Sequence, residues 1–258
     1  MNLNERFWEV DFLRGLAIIL MITYHFIFDL IFFGIYTFNL SSGILWYFPR
    51  IIAGIFIFLV GISLYLSYSR AEISGSYTKD RDYFSKYLKR GLWIFSLGLI
   101  ITLVTWIFIR PEFIIFGILH FIGLAIILSY PLLKYNEKYK YLNLGMGLIF
   151  IITGFYLNSF SFNFSWLLWL GFIPQNLNTV DYFPLLPWLG MVSIGIFTGS
   201  ILYRNYKRKY QIPDLNSNLT VKIFTFMGRH SLIIYFIHQP ILILTLYFSG
   251  VLNPSFFF

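Results

Sequence analysis

The chain has 258 residues, of which 58% are hydrophobic and only 12% charged, and its mean hydropathy is +0.73. A soluble domain carries roughly 25% charged residues, so a water-soluble globule is excluded. With no cysteine, disulfide staples and thiolate metal sites are excluded as well, and the net charge of +8 belongs to a membrane surface rather than to nucleic acid.

Apolar runs, broken at charge clusters and at Pro or Gly, predict about seven transmembrane helices at 12–34, 47–68, 87–109, 113–133, 141–158, 184–203 and 228–250. Each has about the 20 residues that a ~30 Å hydrocarbon core needs at ~1.5 Å per residue. The first run is too long for a signal-peptide core and has no small-x-small cleavage site, so it reads as a retained helix. The aromatic stretch Phe160–Pro174 is short and interrupted, and reads as an interfacial or half-inserted segment. With the N-terminus cytoplasmic, all of the 19 Lys and Arg except Arg50 and Arg110 fall on the inner side. That asymmetry favours seven spans with the C-terminus outside. No 20–50-residue repeat and no low-complexity linker divides the chain, so 1–258 is expected to be one all-α, polytopic transmembrane helix bundle, multi-pass in the cell membrane.

Polar residues inside such spans are the informative ones, because burying them costs several kcal/mol unless they are paired or used. In the first span Arg14, Ile18, Met21, His25 and Asp29 share one helical face. Asp11 lies one turn below Arg14 and can hold its guanidinium; Asp29 lies one turn above His25 and can orient the imidazole. A histidine with a carboxylate one turn away is a minimal general-base unit, the alternative being an interhelical hydrogen bond. His120, in the fourth span, is expected at a depth similar to that of His25. In the last span Arg229, His230 and Ser231 are followed by His238 at i+8 from His230, then by Gln239 and Pro240. Arg50, Asp181 and Gln239 are candidates for contact with a substrate, and snorkelling to headgroups is the alternative for Arg50 and Arg110. Four histidines scattered over three spans lack metal-ligand spacing, so no metal is expected; there is also no phosphate loop, HExxH or GxSxG.

The segments Glu9–Met21, Gly54–Tyr68 (GIFIFLVGISLYLSY), Gly117–Gly123 (GILHFIG), Asp181–Gly190 (DYFPLLPWLG) and Gly228–Pro240 (GRHSLIIYFIHQP) resemble, in order and spacing, the heparan-α-glucosaminide N-acetyltransferase catalytic-domain family. The likeness covers nearly the whole chain and is greatest to the small archaeal and bacterial members. It implies a multi-pass acyltransferase that takes acetyl from acetyl-CoA on the cytoplasmic side and delivers it to a sugar or glycolipid acceptor across the membrane. Arg14 and His25 match the Arg and His, with ten residues between them, of the broader membrane acyltransferases. The lysosomal member shares Asp11 and Arg14, but has asparagine where His25 stands and its histidine in the following loop. Residues 34–48 here contain no histidine, a departure from that pattern which argues against the heparan substrate and an acetyl-histidine intermediate and favours His25 as the base of a direct transfer.

In that reading His25 and Asp29 form the base, and His120, His238, Gln239 or Tyr24 donates to the oxyanion. Arg14, Asp11, Arg229 and His230 form the acetyl-CoA phosphate site. The lipid bilayer, acetyl-CoA and the acceptor are the expected partners, with a homodimer as one option. The alternative function is a carrier whose histidines relay protons, which would call for repeat symmetry or paired broken helices; the sequence has neither.

Overall fold

The computed structural model describes residues 6–38, 43–76, 79–213, 215 and 217–251. The expected loops at 34–48, 75–82 and 211–219 each include residues outside those described. The protein is all-helical and polytopic. Its helices are α1 (Trp8–Phe32), α2 (Ile44–Ile73), α3 (Asp80–Phe108), α4 (Ile118–Leu128), α5 (Tyr130–Lys134), α6 (Asn136–Leu157), α7 (Leu185–Leu202), α8 (Leu219–Arg229) and α9 (Ser231–Phe248). Among the described residues there are isolated β-bridges but no strand.

Among the described residues six helices are long and apolar enough to cross a bilayer: α1, α2, α3, α6, α7 and α9. The apolar run 113–133 was expected to supply another full span, but its helix α4 has only 11 residues. The run starts as extended chain instead, and protein side chains satisfy its backbone. Thr179 Oγ1 donates to the Phe113 carbonyl at 2.9 Å, Thr105 Oγ1 accepts from the Ile114 N–H at 3.1 Å, and Thr102 Oγ1 donates to the Ile114 carbonyl at 2.7 Å. Non-helical backbone at membrane depth is tolerated only when enclosed and hydrogen-bonded in this way. The last expected span, 228–250, forms as α9, with a break just before it. Helix α8 stops at Arg229, His230 leaves the helical region at φ −102° and ψ 15°, and α9 begins at Ser231.

Contacts within the chain group it into two compact units, and α2 contributes to both. One unit runs from Val60 to Gln211; its core includes Tyr87, Phe121, Ala125, Ile126, Val192 and Ile196. Helix pairs in it close on glycines. A Cβ on Gly91 would run into the Gly123 carbonyl, and one on Gly190 into the Gly147 carbonyl, so α3 lies against α4 and α6 against α7 at backbone distance. Without water to expel, membrane helices gain from this close approach of small residues. The other unit joins the described residues up to Leu59 with those from Ile212 onward. In it α8 lies against α1, with Gly15 under the Phe224 backbone and Gly228 under the Asp11 backbone, where a Cβ at either glycine would overlap.

Candidate active site

In the second unit α1 and α9 bring four predicted residues together. The imidazoles of His25 and His238 lie with ring centroids 4.8 Å apart. Gln239 Nε2 donates to Asp29 Oδ1 at 2.5 Å. Asp29 is 1% exposed and His238 7%, so this polar cluster is enclosed. Its chemistry follows from which atoms are already used. His238 Nδ1 lies 2.6 Å from the Tyr235 carbonyl, which can only accept, so Nδ1 carries the proton and Nε2 presents a lone pair. The sequence expectation that Asp29 would hold His25 directly is replaced by an Asp29–Gln239 bond. Gln239 directly precedes Pro240, and its amide reaches α1.

Four buried polar atoms of this cluster have no partner: His25 Nδ1, Asp29 Oδ2, His238 Nε2 and Gln239 Oε1. Such atoms cost about 1–3 kcal/mol each when left unsatisfied, and they are rare outside functional sites. The Tyr24 ring lies edge-on to His25 at 5.7 Å and borders the same cluster.

Asp11, near the start of α1, is the centre of a second cluster in this unit. Its carboxylate accepts from Arg14 Nη1 at 3.0 Å and from Arg229 Nε at 3.3 Å, with Arg6 at 3.9 Å. Arg14 Nη1 also reaches the Gly228 carbonyl at 3.4 Å. Sequence spacing paired Asp11 with Arg14 only. The Arg229 contact comes from the close α1–α8 approach, for which Gly15 and Gly228 were the available signal. Arg229 keeps 45% of its side chain exposed, whereas Asp11 is enclosed at 8%. His230 Nδ1 donates to the Phe226 carbonyl at 2.8 Å, and its ring lies 4.4 Å from that of Phe226. Arg50 sits on its own helix, donating to the Trp46 carbonyl at 2.5 Å with the guanidinium 3.8 Å over the Trp46 ring.

His120 and Asp181 belong to the first unit and meet at the N-terminus of α4. Asp181 Oδ2 accepts from the Ile118 N–H at 3.1 Å and caps the positive end of the helix from 63 residues away. Burial pushes its carboxyl up to about 7, against the pull of that hydrogen bond. His120 Nδ1 accepts from the Gly117 N–H at 3.2 Å, which leaves the proton on Nε2 to face Thr102 Oγ1 at 3.3 Å. Both ring nitrogens of His120 are therefore engaged with its own hairpin. Thr102, which no sequence pattern marked, is the hub that ties His120 to the Ile114 carbonyl. Among the described residues no group of three or more His, Asp or Glu is placed to hold a metal ion.

Compared with known proteins, residues 6–240 match the family model described as heparan-alpha-glucosaminide N-acetyltransferase, catalytic. No curated protein and no solved structure matches the chain.

Proposed function

Because this chain belongs to the heparan-alpha-glucosaminide N-acetyltransferase catalytic family and so is a membrane acetyltransferase in general terms, we propose that it transfers acetyl from acetyl-CoA to a hydroxyl or amine of a sugar or glycolipid acceptor. The observation that carries this reading is the set of four unpartnered atoms around His25 and His238. Asp29 Oδ2, Gln239 Oε1 and His238 Nε2 are all acceptors in the arrangement described. A group that satisfies them must bring several N–H or O–H donors, as a sugar hydroxyl or amine does and a phosphate or a hydrocarbon does not.

Acetyl-CoA supplies an activated acetyl group. His25 is the general base: it accepts the proton of the acceptor as the new C–O or C–N bond forms, and the proton passes to the departing CoA sulfur. The products are the acetylated acceptor and free CoA thiol, so atoms and charge balance. His238, fixed by the Tyr235 carbonyl, and Gln239, fixed on Asp29, orient the acceptor with their remaining acceptor atoms. Arg229, with part of its guanidinium exposed, and Arg14 and His230 beside it suit the phosphates of CoA. On this reading the basic end of α1 faces the cytoplasm and the acceptor is modified at the outer side of the cell membrane.

The test is release of CoA thiol from acetyl-CoA by the full chain in vesicles, with glucosamine or an alkyl glucoside as the acceptor probe. The protein has no cysteine, so its own thiols add no background. His25→Ala should lower turnover about 10²–10⁴-fold, the usual worth of a positioned base, with acetyl-CoA affinity retained. Thiol release that survives both His25→Ala and His238→Ala would remove the chemistry from this cluster.

A further inference from the structure

Residues 141–180 contain no Asp, Glu, Lys or Arg. The part of this stretch that follows α6 is nevertheless folded. Phe162 N–H donates to the Ile173 carbonyl at 2.9 Å and Gln175 N–H to the Phe162 carbonyl at 3.2 Å, closing a bridge between Phe162 and Pro174. A 3-10 turn forms at Leu168–Leu170, and Tyr182 Oη fastens it by donating to the Leu168 carbonyl at 2.8 Å. Gly171 then turns the chain at φ +127°, a conformation that side chains disfavour. Within this ordered loop the small and medium residues are the ones packed away: Leu168 and Gly171 are buried. Phe162, Phe164 and Phe172 are half-buried against one another, but three large aromatic side chains stay outside, with Trp166 71% exposed, Phe160 46% and Trp169 39%. Water would penalise this arrangement, since a large apolar side chain gains roughly 1.5–3 kcal/mol by burial. Between these aromatics only the small polar Ser161, Asn163 and Ser165 are exposed, and the longer amides Gln175, Asn176 and Asn178 are exposed further along the chain.

We infer that this loop is a membrane-interface plate, with the aromatic edge at 160–169 seated in the headgroup–acyl boundary of the bilayer and the amide edge at 175–178 facing water. The inference is independent of the acyl-transfer reading. The loop leaves one membrane-crossing helix at Leu157 and enters the next at Leu185, so it starts and ends at the hydrocarbon edge. Its stretch 158–180 has no charge to desolvate there, and tryptophan, with an apolar body and one N–H, is the residue that the boundary favours. The indole of Trp169 already donates to the Trp166 carbonyl at 3.1 Å, so the turn carries its own hydrogen bond into that zone.

The cysteine-free chain permits a direct measurement with single spin labels at Trp166→Cys and Asn176→Cys in vesicles of phosphatidylcholine and phosphatidylglycerol. The label at 166 should show a several-fold higher ratio of oxygen to aqueous nickel-chelate accessibility than the label at 176. Equal, water-like accessibility at both positions overturns the inference. So does a label at 166 whose protection disappears on dilution into excess lipid with loss of spin–spin coupling, because a second copy would then be the cover. An independent arm keeps the aromatic edge intact: brominated phosphatidylcholine should quench the tryptophan fluorescence of the parent, and the quenched fraction should fall in Trp166→Phe. An unchanged quenched fraction counts against the plate.

Discussion

At the scale of single residues, the polar atoms of the His25 cluster divide into those that hold it together and those left without a partner. Gln239 has both kinds: its amide nitrogen binds Asp29 Oδ1 while its carbonyl oxygen is unpartnered. Gln239→Leu should therefore raise KM for the acceptor and also lower kcat, because it loosens Asp29; steady-state kinetics with the glucoside probe would separate the two. Asp11 answers to a different balance. It is the shared partner of Arg14 and Arg229, and a hydrogen bond to a charged group contributes about 1.5–3 kcal/mol, so Asp11→Ala should lower thermal stability measurably. Arg229→Ala should weaken acetyl-CoA binding about tenfold with a smaller loss of stability, since its side chain is partly exposed. Asp181 gives the protein a pH signature. Its carboxyl, at about 7 in the folded protein against 3.8 ordinarily, holds a proton that the unfolded chain releases. The stability linked to that proton is fully present below about pH 4 and is lost as pH climbs through 7. Thermal melts of Asp181→Asn should accordingly be flatter between pH 5 and 8 than those of the parent. Of these residues, His25, Asp29, His238 and Gln239 stood out in the sequence because polar side chains in an apolar run announce themselves. Which atom bonds which did not, because it depends on how far α9 is rotated against α1, and no spacing within one helix encodes that.

At the scale of elements, hydropathy located every long helix but misjudged 113–117, where tertiary hydrogen bonds replace helical ones. Residues 113–117 are as apolar as a helix requires, yet threonines at 102, 105 and 179 and the N–H of Phe183 take over their backbone. The break at His230 falls in the polar run Arg229–Ser231, between the amphipathic α8 and the apolar α9. The α1–α8 contact was legible only as two small residues, Gly15 and Gly228. It makes a sharp comparison possible. Gly228→Ala places a methyl group on the Asp11 backbone, and overpacking of this kind costs about 1–3 kcal/mol or more, so the variant should melt earlier and bind acetyl-CoA less well. Gly145→Ala, in α6 with open space around it, should be neutral or gain about 0.5–1 kcal/mol. Parallel melts of the two variants would show whether close approach, rather than glycine content, holds these helices.

At the scale of the whole molecule, we propose from the positive-inside bias that the Lys- and Arg-rich helix ends face the cytoplasm. Cysteines placed within 81–86 and 207–209 should be labelled by a membrane-impermeant reagent only from the cytoplasmic side, and one at Asn178 only from the opposite side. Labelling of Asn178 from the cytoplasm would reverse that assignment. The shortness of α4 bears on something other than topology. Its residues are enclosed almost throughout, with Phe121 and Ala125 at 0% exposure, and its N-terminal end is held by the His120 and Asp181 side chains rather than by solvent. Lipid-facing helices such as α3 and α6 fluctuate against a fluid neighbour, but α4 can release its peptide hydrogens only when the surrounding unit opens. In deuterium exchange the amides of 119–126 should therefore be the slowest in the protein, reporting the opening free energy of a cooperative block that includes α3. The His25 cluster, borne on α1 and α9, should exchange at its own rate, which would let the chemistry breathe without loosening that core.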